Sequence, residues 1–364
     1  MNTITRWIAS GLIFLIAIWM VWFFSDIVFY ILIAAVLSFM GHPLVRFFDG
    51  LHIGKMRIPH SVSAALTLVI EMVILLALIA IFIPLIARQA SIISDIDGNM
   101  VAQAIREPLL WLEGLLKEYG LMETSDSLET YMANELMGVF GAIDFTQVLN
   151  YILSFTGTIF IGLFAVVFIT FFFLKEQNLF NNGILLLTPL KYQKEVENVL
   201  KNTRRLLSRY FIGICIEVLS MMTLITIFLS ILGVKNALLI GFFGGLMNII
   251  PYLGPVIGAI LGIIIGITTN LSLGIYTDLL ILSAQIAGSF VVANLIDNLV
   301  LQPLIYSNSV KAHPLEIFLV IMLGASLAGI PGMILAIPSY TVLRIIAKEF
   351  FNGLRVVQKL TERI

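Results

Sequence analysis

Long apolar stretches with few charges dominate this sequence and limit what it can fold into. Most of them exceed the roughly 20 apolar residues that a helix needs to cross about 30 Å of hydrocarbon. We distinguish about eight such runs, at residues 7–24, 27–40, 61–87, 148–174, 209–234, 236–269, 279–306 and 313–346. Charged residues make up 12% of the chain, against about 25% in a soluble domain. Because backbone polar groups in lipid are satisfied within helices, we predict an all-α integral membrane protein.

Basic residues between the runs predict the orientation of the chain. Lysine and arginine concentrate in residues 41–60, in 175–208 and after residue 346. Alternate crossing of the first four runs places these segments on one side, which is then the cytoplasm. Residues 88–147 fall on the other side and carry ten acidic against three basic residues. We therefore predict a multi-pass protein of the bacterial inner membrane with both termini cytoplasmic and an external, amphipathic helical insert.

Two of the runs are too long to be single straight spans. Residues 236–269 would form a helix of about 51 Å at 1.5 Å per residue, and residues 313–343 are almost as long. Proline and glycine interrupt both runs near their centres and break or kink a helix there. The predicted break positions are Pro251, Gly254 and Pro255 in the first run, and Gly329, Pro331 and Gly332 in the second. A third, sharper end is predicted for the run 27–40 at Gly41-His42-Pro43.

Each broken run has two interpretations. Re-entrant helical hairpins would enter from opposite sides and form an inverted repeat, a pattern that places transport sites near the middle of the membrane. Two proline-kinked spans would leave the C-terminus on the same side. Lys311 lies on the cytoplasmic side only in the hairpin interpretation, which favours hairpins under the positive-inside rule.

Polar residues within the runs are the candidate binding residues, because ionisable groups at membrane depth are costly. Asp297 is the strongest candidate, and its spacing from Asn294 and Asn298 predicts one shared helix face, with Gln302 following. These side chains could hold a cation or a polyhydroxylated solute, or could join helices together. Asn248, beside the first break, is a candidate ligand or a helix cap.

Two glutamates also lie within apolar runs. Glu71 is the acid of the third run, and we assign it as a candidate proton relay. For Glu217 a proton relay is also conceivable, but it lies near the start of the fifth run, where it could extend to the headgroups. His313 and Glu316, at the start of the last run, are predicted to cap its helix.

The motifs of the last 160 residues resemble those of the autoinducer-2 exporter family, also called the PerM-type permeases. The resemblance rests on Asn248-Ile-Ile-Pro-Tyr-Leu-Gly-Pro255, Asp297-Asn298, Gln302-Pro303, His313-Pro314, Gly324, Gly329-Ile330-Pro331-Gly332 and Ala336-Ile337-Pro338. The front half is similar in layout, with paired spans, a third span, an extramembrane insert and a fourth span. The resemblance implies a membrane transporter that assembles as a homopentamer and works by an elevator-like motion. It links the chain to export of autoinducer-2 or to sodium/proton exchange.

No enzymatic pattern is present in the sequence. The four histidines lie at loops or at the ends of runs without metal-ligand spacing, and a phosphate-binding Gly-Lys-Ser/Thr is absent. The net charge of −1 gives no argument for nucleic acid. We therefore expect a non-enzyme without cofactor or metal, whose partners are the lipid bilayer, a small polar solute, a sodium ion or proton, and other copies of the chain.

The leading hypothesis is a secondary transporter that exports a small polar solute such as autoinducer-2. A sodium/proton antiporter is the first alternative, and a membrane scaffold that transports nothing is the second. The corresponding regions are N-terminal scaffold spans at 1–87, the external insert at 88–147, the fourth span and a cytoplasmic linker helix at 148–208, the transport core at 209–346 and a cytoplasmic tail at 347–364.

Overall fold

A computed structural model of the chain describes most of the predicted runs. It describes residues 23–53, 56–94, 156–176, 179–275, 279–306 and 313–351, together with the single helical positions 12, 16, 19, 20, 110, 114, 117, 118, 357, 358 and 361. Most of the first run, most of the insert and most of the tail lie outside the described residues. The number of runs and the insert therefore stay predictions.

The described residues are almost entirely helical. In chain order the helices are α1 (Ser25–Gly50), α2 (His60–Ser94), α3 (Thr156–Lys175), α4 (Leu179–Leu187), α5 (Gln193–Ile231), α6 (Ala237–Met247), α7 (Leu253–Ser272), α8 (Leu279–Ile296), α9 (Gln302–Tyr306) and α10 (Pro314–Phe350). A 3₁₀ turn at Leu190–Tyr192 precedes α5, and a π-helical turn at Asp297–Leu301 joins α8 to α9. Strands β1 (His52–Ile53) and β2 (Met56–Arg57) form a small antiparallel pair between α1 and α2. Six of the described helical stretches are long and apolar enough to cross a membrane, which confirms the predicted fold class.

The chain forms two compact units. The first contains Met1–Leu75 and Phe155–Phe211, and the second contains Leu76–Ser154 and Ile212–Ile364. The long helices α2 and α5 each contribute to both units. Each unit is described separately below.

In the first unit, α1 runs parallel to α3 and antiparallel to α2. The direction follows from the residues in contact: Gly162 of α3 lies against Tyr30, whereas Leu174 lies against Gly41 later in α1. In the opposite sense, Val45 of α1 packs with Ala64 near the start of α2. The three helices therefore form a bundle whose centre is the contact around Gly41.

The predicted helix end at Gly41-His42-Pro43 is wrong. Helix α1 continues through Pro43 to Gly50. Proline lacks the N–H that would bond to the carbonyl four residues earlier, and this carbonyl belongs to Phe39. The Ser208 hydroxyl donates to the Phe39 carbonyl oxygen at 2.8 Å, so a side chain from another helix replaces the missing backbone bond.

In the second unit, the run 236–269 is a helical hairpin, hereafter hairpin 1. Helices α6 and α7 are antiparallel, because a side chain on Gly262 would meet Ile240 and one on Gly258 would meet Gly244. Residues 248–252 form the turn, in which Tyr252 has φ 67° and ψ −48°. The arms approach closely where Gly244 meets Gly258, because neither residue has a side chain.

Phe290 of α8 fills the groove between the two arms of hairpin 1. Its ring is 4% exposed and lies against Gly244, Gly258 and Gly262. Any Cβ added at one of these glycines would come within about 3 Å of the ring, closer than ordinary van der Waals contact. The groove is thus a complementary fit between three glycines and one aromatic side chain.

The run 313–346 is a second helical hairpin, hereafter hairpin 2. Helix α10 has non-helical backbone at Ala328 (φ −146°, ψ 22°) and Gly329 (φ 58°, ψ −139°). Beyond this point the chain returns, because Gly332 packs directly on Gly324. Further along the arms, the Tyr340 hydroxyl donates to Glu316 Oε2 at 2.9 Å. Both broken runs are therefore hairpins and not kinked rods.

The two hairpins belong to repeats of opposite direction. Each repeat consists of a leading helix, α5 or α8, followed by a hairpin. Gly241 contacts Thr226 whereas Gly245 contacts Val218, which makes α6 antiparallel to α5, and α7 is antiparallel to α6. The contacts of Gly266 with Ile286 and of Gly262 with Phe290 make α8 antiparallel to α7. After three reversals the leading helices α5 and α8 point in opposite directions, as an inverted repeat requires.

Candidate functional site

Asp297 is the centre of a buried polar cluster in the second unit. Its side chain is 1% exposed, although it lies among the apolar residues of α8 and the π-helical turn. Gln302 Nε2 donates to Asp297 Oδ2 at 2.9 Å. The other oxygen, Oδ1, is also buried and has no hydrogen-bond partner among the described residues. A buried carboxyl oxygen without a donor is a costly feature that a bound cation or proton would relieve.

The π-helical turn explains how Gln302 reaches Asp297. The backbone N–H of Gln302 bonds to the carbonyl oxygen of Asp297, five residues earlier. This spacing widens the helix by one residue and allows a side-chain bond between residues i and i+5. Isolated π-turns occur frequently at functional sites.

Two further helices supply the rest of the cluster. Asn248, at the turn of hairpin 1, donates through Nδ2 to Glu217 Oε1 of α5 at 3.2 Å. Both residues are buried, with exposures of 7% and 8%, and both side chains approach the Asp297 carboxyl. The cluster therefore joins both leading helices to the turn of hairpin 1.

The arrangement suits a small cation or a proton. Two carboxyl groups in one buried site repel each other if both are ionised, so the stable states hold a proton or a cation between them. Carboxylate and amide oxygens are hard ligands of the kind that alkali and alkaline-earth cations prefer. Among the described residues there is no group of three or more His, Cys, Asp or Glu side chains that could hold a metal.

Asn294 and Asn298 lie apart from this cluster. Asn298 Nδ2 donates to Asn294 Oδ1 at 3.1 Å on the exposed side of the helix, whereas Asp297 is buried. Of the three residues predicted to share one helix face, only Asp297 belongs to the cluster. Gln302 joins it through the π-turn. Any ligand role for the two asparagines stays a prediction.

The predicted break positions lie at the turns or just after them. Pro251 lies in the turn of hairpin 1, and Gly254 and Pro255 lie in the first turn of α7, where a missing N–H is tolerated. Gly329 forms the turn of hairpin 2, and Pro331 and Gly332 begin its second arm. The side chain of Asn248 bonds to Glu217 and not to a helix end.

The placement of Glu217 differs from the expectation of an extension to the headgroups. The helix that carries it begins at Gln193, sixteen residues before the predicted start of the run at 209. Glu217 is accordingly in the interior of α5 and buried against the hairpin turn. Its partner Asn248 lies 31 residues away, so sequence spacing gave no signal of the pairing.

Three other predicted residues lie elsewhere. Glu71 belongs to the first unit, where both its carboxyl oxygens are buried, and it is treated below. His313 is confirmed as a helix cap, because its Nδ1 accepts the backbone N–H of Leu315 at 3.2 Å. Glu316 bonds to Tyr340 across hairpin 2.

Comparison with known proteins agrees with this architecture. The sequence profile of the AI-2E family transporter matches residues 12–352, nearly the whole chain. The chain belongs to the AI-2E transporter family. It is therefore a multi-pass membrane protein of a permease family.

Three of the similar proteins come from two bacteria, and each carries the name of a transport protein. YueF of Bacillus subtilis (strain 168) is 26% identical over 348 residues, covering 94% of this chain and 88% of YueF. Protein sll0060 of Synechocystis sp. (strain ATCC 27184 / PCC 6803 / Kazusa) is 24% identical and covers 90% of both chains. YrrI of Bacillus subtilis is 28% identical over about half of each chain.

Proposed function

We propose that this protein is a secondary transporter of a small polar solute, in which the cluster of Glu217, Asn248 and Asp297 binds the coupling proton or sodium ion. The supporting observation is the buried Asp297 Oδ1, which has no donor in the described part of the chain and lies beside a hairpin turn. In a transporter with broken helices, such a turn is where substrate and ion sites form. Family membership supports transport in general.

The hairpins support an elevator-like motion as part of this proposal. Helices α5 to α8 pack through glycine contacts, and together with hairpin 2 they would move as a single core. The front spans would act as the stationary scaffold, and several copies, five by family resemblance, would assemble in the membrane. Autoinducer-2 is the first solute to test. In this proposal both termini of the chain are cytoplasmic, and so is the end of hairpin 2 opposite its turn.

Transport by the purified protein in liposomes tests the proposal. Labelled autoinducer-2 and internal pH would be followed together, with and without a sodium gradient, for wild type, Asp297→Asn and Glu217→Gln. Glu197→Gln is the matched control, because this glutamate is exposed on the same helix as Glu217. We expect solute flux that requires a sodium or pH gradient and is lost in both cluster variants but not in the control. Flux that is equal in all four proteins would contradict the role of the cluster.

The carboxyl pair also favours a second candidate function, sodium/proton antiport. Glu217 and Asp297 could bind either one sodium ion or protons, and this exchange needs no solute. In the same experiment, a sodium-driven change of internal pH without solute flux, lost in Asp297→Asn, would identify the antiporter. Absence of both fluxes would reject both transport functions for the cargoes tested.

A further inference from the structure

A second buried carboxyl group lies in the first unit. Both oxygens of Glu71 on α2 are buried, and neither has a hydrogen-bond partner among the described residues. Glu71 Oε1 lies against Gly41 of α1, so close that a Cβ at this glycine would be only 2.6 Å away. The methyl group of Thr67 and the side chain of Leu174 complete the contact around Gly41.

An unpaired hydroxyl group lies at the same level of the bundle. Thr170 of α3 is 0% exposed, and its Oγ1 has no partner in the described part of the chain. Leu174 and Thr67 meet at Gly41, and α2 is antiparallel to α3. Thr170 is one turn before Leu174, and Glu71 is one turn after Thr67, so both lie one turn toward the same end of the bundle.

The charged groups nearest in sequence to this contact are engaged elsewhere. His42, the neighbour of Gly41, bonds to Arg204. Lys175, the neighbour of Leu174, lies 3.9 Å from Glu176 and over the rings of Phe171 and Phe172. At this level of the bundle α1 therefore contributes Gly41, which lies against Glu71 Oε1, and α3 contributes Leu174 and the buried Thr170. In the described residues, no cation forms an ion pair with it.

An ionised carboxyl group in these surroundings would be an isolated buried charge, which is far more costly than a neutral acid. A metal cation would require several oxygen ligands, whereas the contact offers one carboxyl and one hydroxyl group. A proton is the ligand that fits. We propose that Glu71 is a reversible proton-binding site in the first unit, and that its neutral, protonated form is what allows α1 to pack on α2 at Gly41.

The direction of the effect follows from this assignment. The packed state holds the proton, so the contact between α1 and α2 is strongest at low pH. Loss of the proton at higher pH leaves a charge against Gly41 and weakens the contact. Glu71 would then respond to pH independently of the hairpin cluster, and its behaviour does not depend on any transport activity.

Infrared spectroscopy of the full-length protein in lipid tests the site directly. A protonated carboxyl group has a carbonyl stretch distinct from that of a carboxylate. We expect the spectrum of wild type minus that of Glu71→Gln to contain the protonated band at acidic pH and to lose it as the pH rises. The exposed Glu197→Gln should not remove this band. A difference spectrum that shows only a carboxylate at every pH, or a band that responds to sodium at constant pH, would overturn the proposal.

Thermal unfolding gives a second readout. Glutamine has the shape of the protonated acid but cannot ionise, so Glu71→Gln should fold and should lose less stability than wild type as the pH rises. Coinciding pH profiles of the two proteins would overturn the proposal. Both readouts are made without a solute or an ion gradient, so failure of the transport assay leaves them unaffected.

Discussion

Positive φ angles occur at one residue in each hairpin turn, with different consequences. Gly329 (φ 58°, ψ −139°) adopts a conformation that is open to glycine and essentially closed to other residues. Tyr252 (φ 67°, ψ −48°) is a bulky residue in a sparsely populated region. Its ring lies edge-on to Phe318 of hairpin 2, with centroids 6.5 Å apart. That contact supports the strained turn at which Asn248 is held against Glu217.

Replacing Gly329 with alanine should destabilise hairpin 2. The added Cβ meets no neighbour, so the cost is the strain of the backbone conformation, about 1–3 kcal/mol. Gly288→Ala is the matched control, since a Cβ there also meets no neighbour but the residue is helical, and alanine favours a helix by up to about 1 kcal/mol. Thermal unfolding in detergent should show a lower midpoint for Gly329→Ala only. Equal midpoints for the two variants would contradict the requirement for glycine at the turn of hairpin 2.

At the scale of single residues, sequence spacing identified part of the site. Asp297 and Asn248 stood out because they are polar residues within apolar runs. Gln302 was included, but its contact depends on a π-turn that spacing does not reveal. Glu217 was left open between a proton relay and an extension to the headgroups, because its partner Asn248 is a tertiary contact between α5 and hairpin 1 that the sequence does not show. Asn294 and Asn298 have the spacing of one helix face yet lie on the exposed side.

At the scale of elements, side-chain hydrogen bonds join the two arms of each hairpin at its open end, the end opposite the turn. In hairpin 1, Asn236 Nδ2 donates to Gln89 Oε1 at 3.1 Å and to Thr269 Oγ1 at 3.0 Å. Gln89 Nε2 donates to Thr268 Oγ1 at 2.8 Å. Gln89 of α2 therefore binds both ends of the hairpin. In hairpin 2 the bond from Tyr340 to Glu316 has the same role.

Gln89→Leu should loosen the open end of hairpin 1. Gln89 is 4% exposed, so its loss removes a buried hydrogen-bond partner of Asn236 and Thr268, at a cost of about 1–3 kcal/mol. Asn236 keeps its bond to Thr269, and Thr268 keeps its bond to the Ile264 carbonyl oxygen. Hydrogen exchange by mass spectrometry should become faster at the two ends of hairpin 1 and remain unchanged in hairpin 2. Tyr340→Phe is the reciprocal control, with faster exchange in hairpin 2 only. If each variant instead accelerated exchange equally in both hairpins, the effect of these hydrogen bonds would not be confined to one hairpin.

Helix breaks were predicted correctly only where the tertiary structure does not compensate for the proline or glycine. Both hairpin turns coincide with proline and glycine near the centres of overlong runs. Pro43 has the same chemistry, yet α1 continues because Ser208 satisfies the Phe39 carbonyl oxygen. A proline therefore indicates a missing backbone bond, and the tertiary structure decides whether the helix ends there.

At the scale of the molecule, hairpin 2 predicts which segments share a side of the membrane. The arms of α10 are antiparallel, so its two ends lie at the same end of the hairpin. Single cysteines at positions 313 and 351, introduced in a Cys215→Ala background, should react with an impermeant maleimide from the same side. A cysteine at Gly274, at the open end of hairpin 1, should react from the opposite side. If positions 313 and 351 react from opposite sides, hairpin 2 spans the membrane in this environment.

The inverted repeat was predicted from two features that can be read from the sequence alone. These are the length of the apolar runs and the positions of the breaks within them. The sequence did not decide between hairpins and kinked spans, since both leave the C-terminus on the same side and only Lys311 favoured hairpins. The glycine contacts from Gly241 to Gly266 determine the direction, and they become visible only when α5 to α8 are packed together.

The fit of Phe290 between the arms of hairpin 1 has an evolutionary consequence. A larger residue at Gly244, Gly258 or Gly262 would collide with the ring, and a smaller residue at position 290 would leave a void between the arms. Substitutions at these four positions should therefore be tolerated mainly in compensating pairs. Among distant homologues, position 290 should covary with the three glycine positions because of this packing contact.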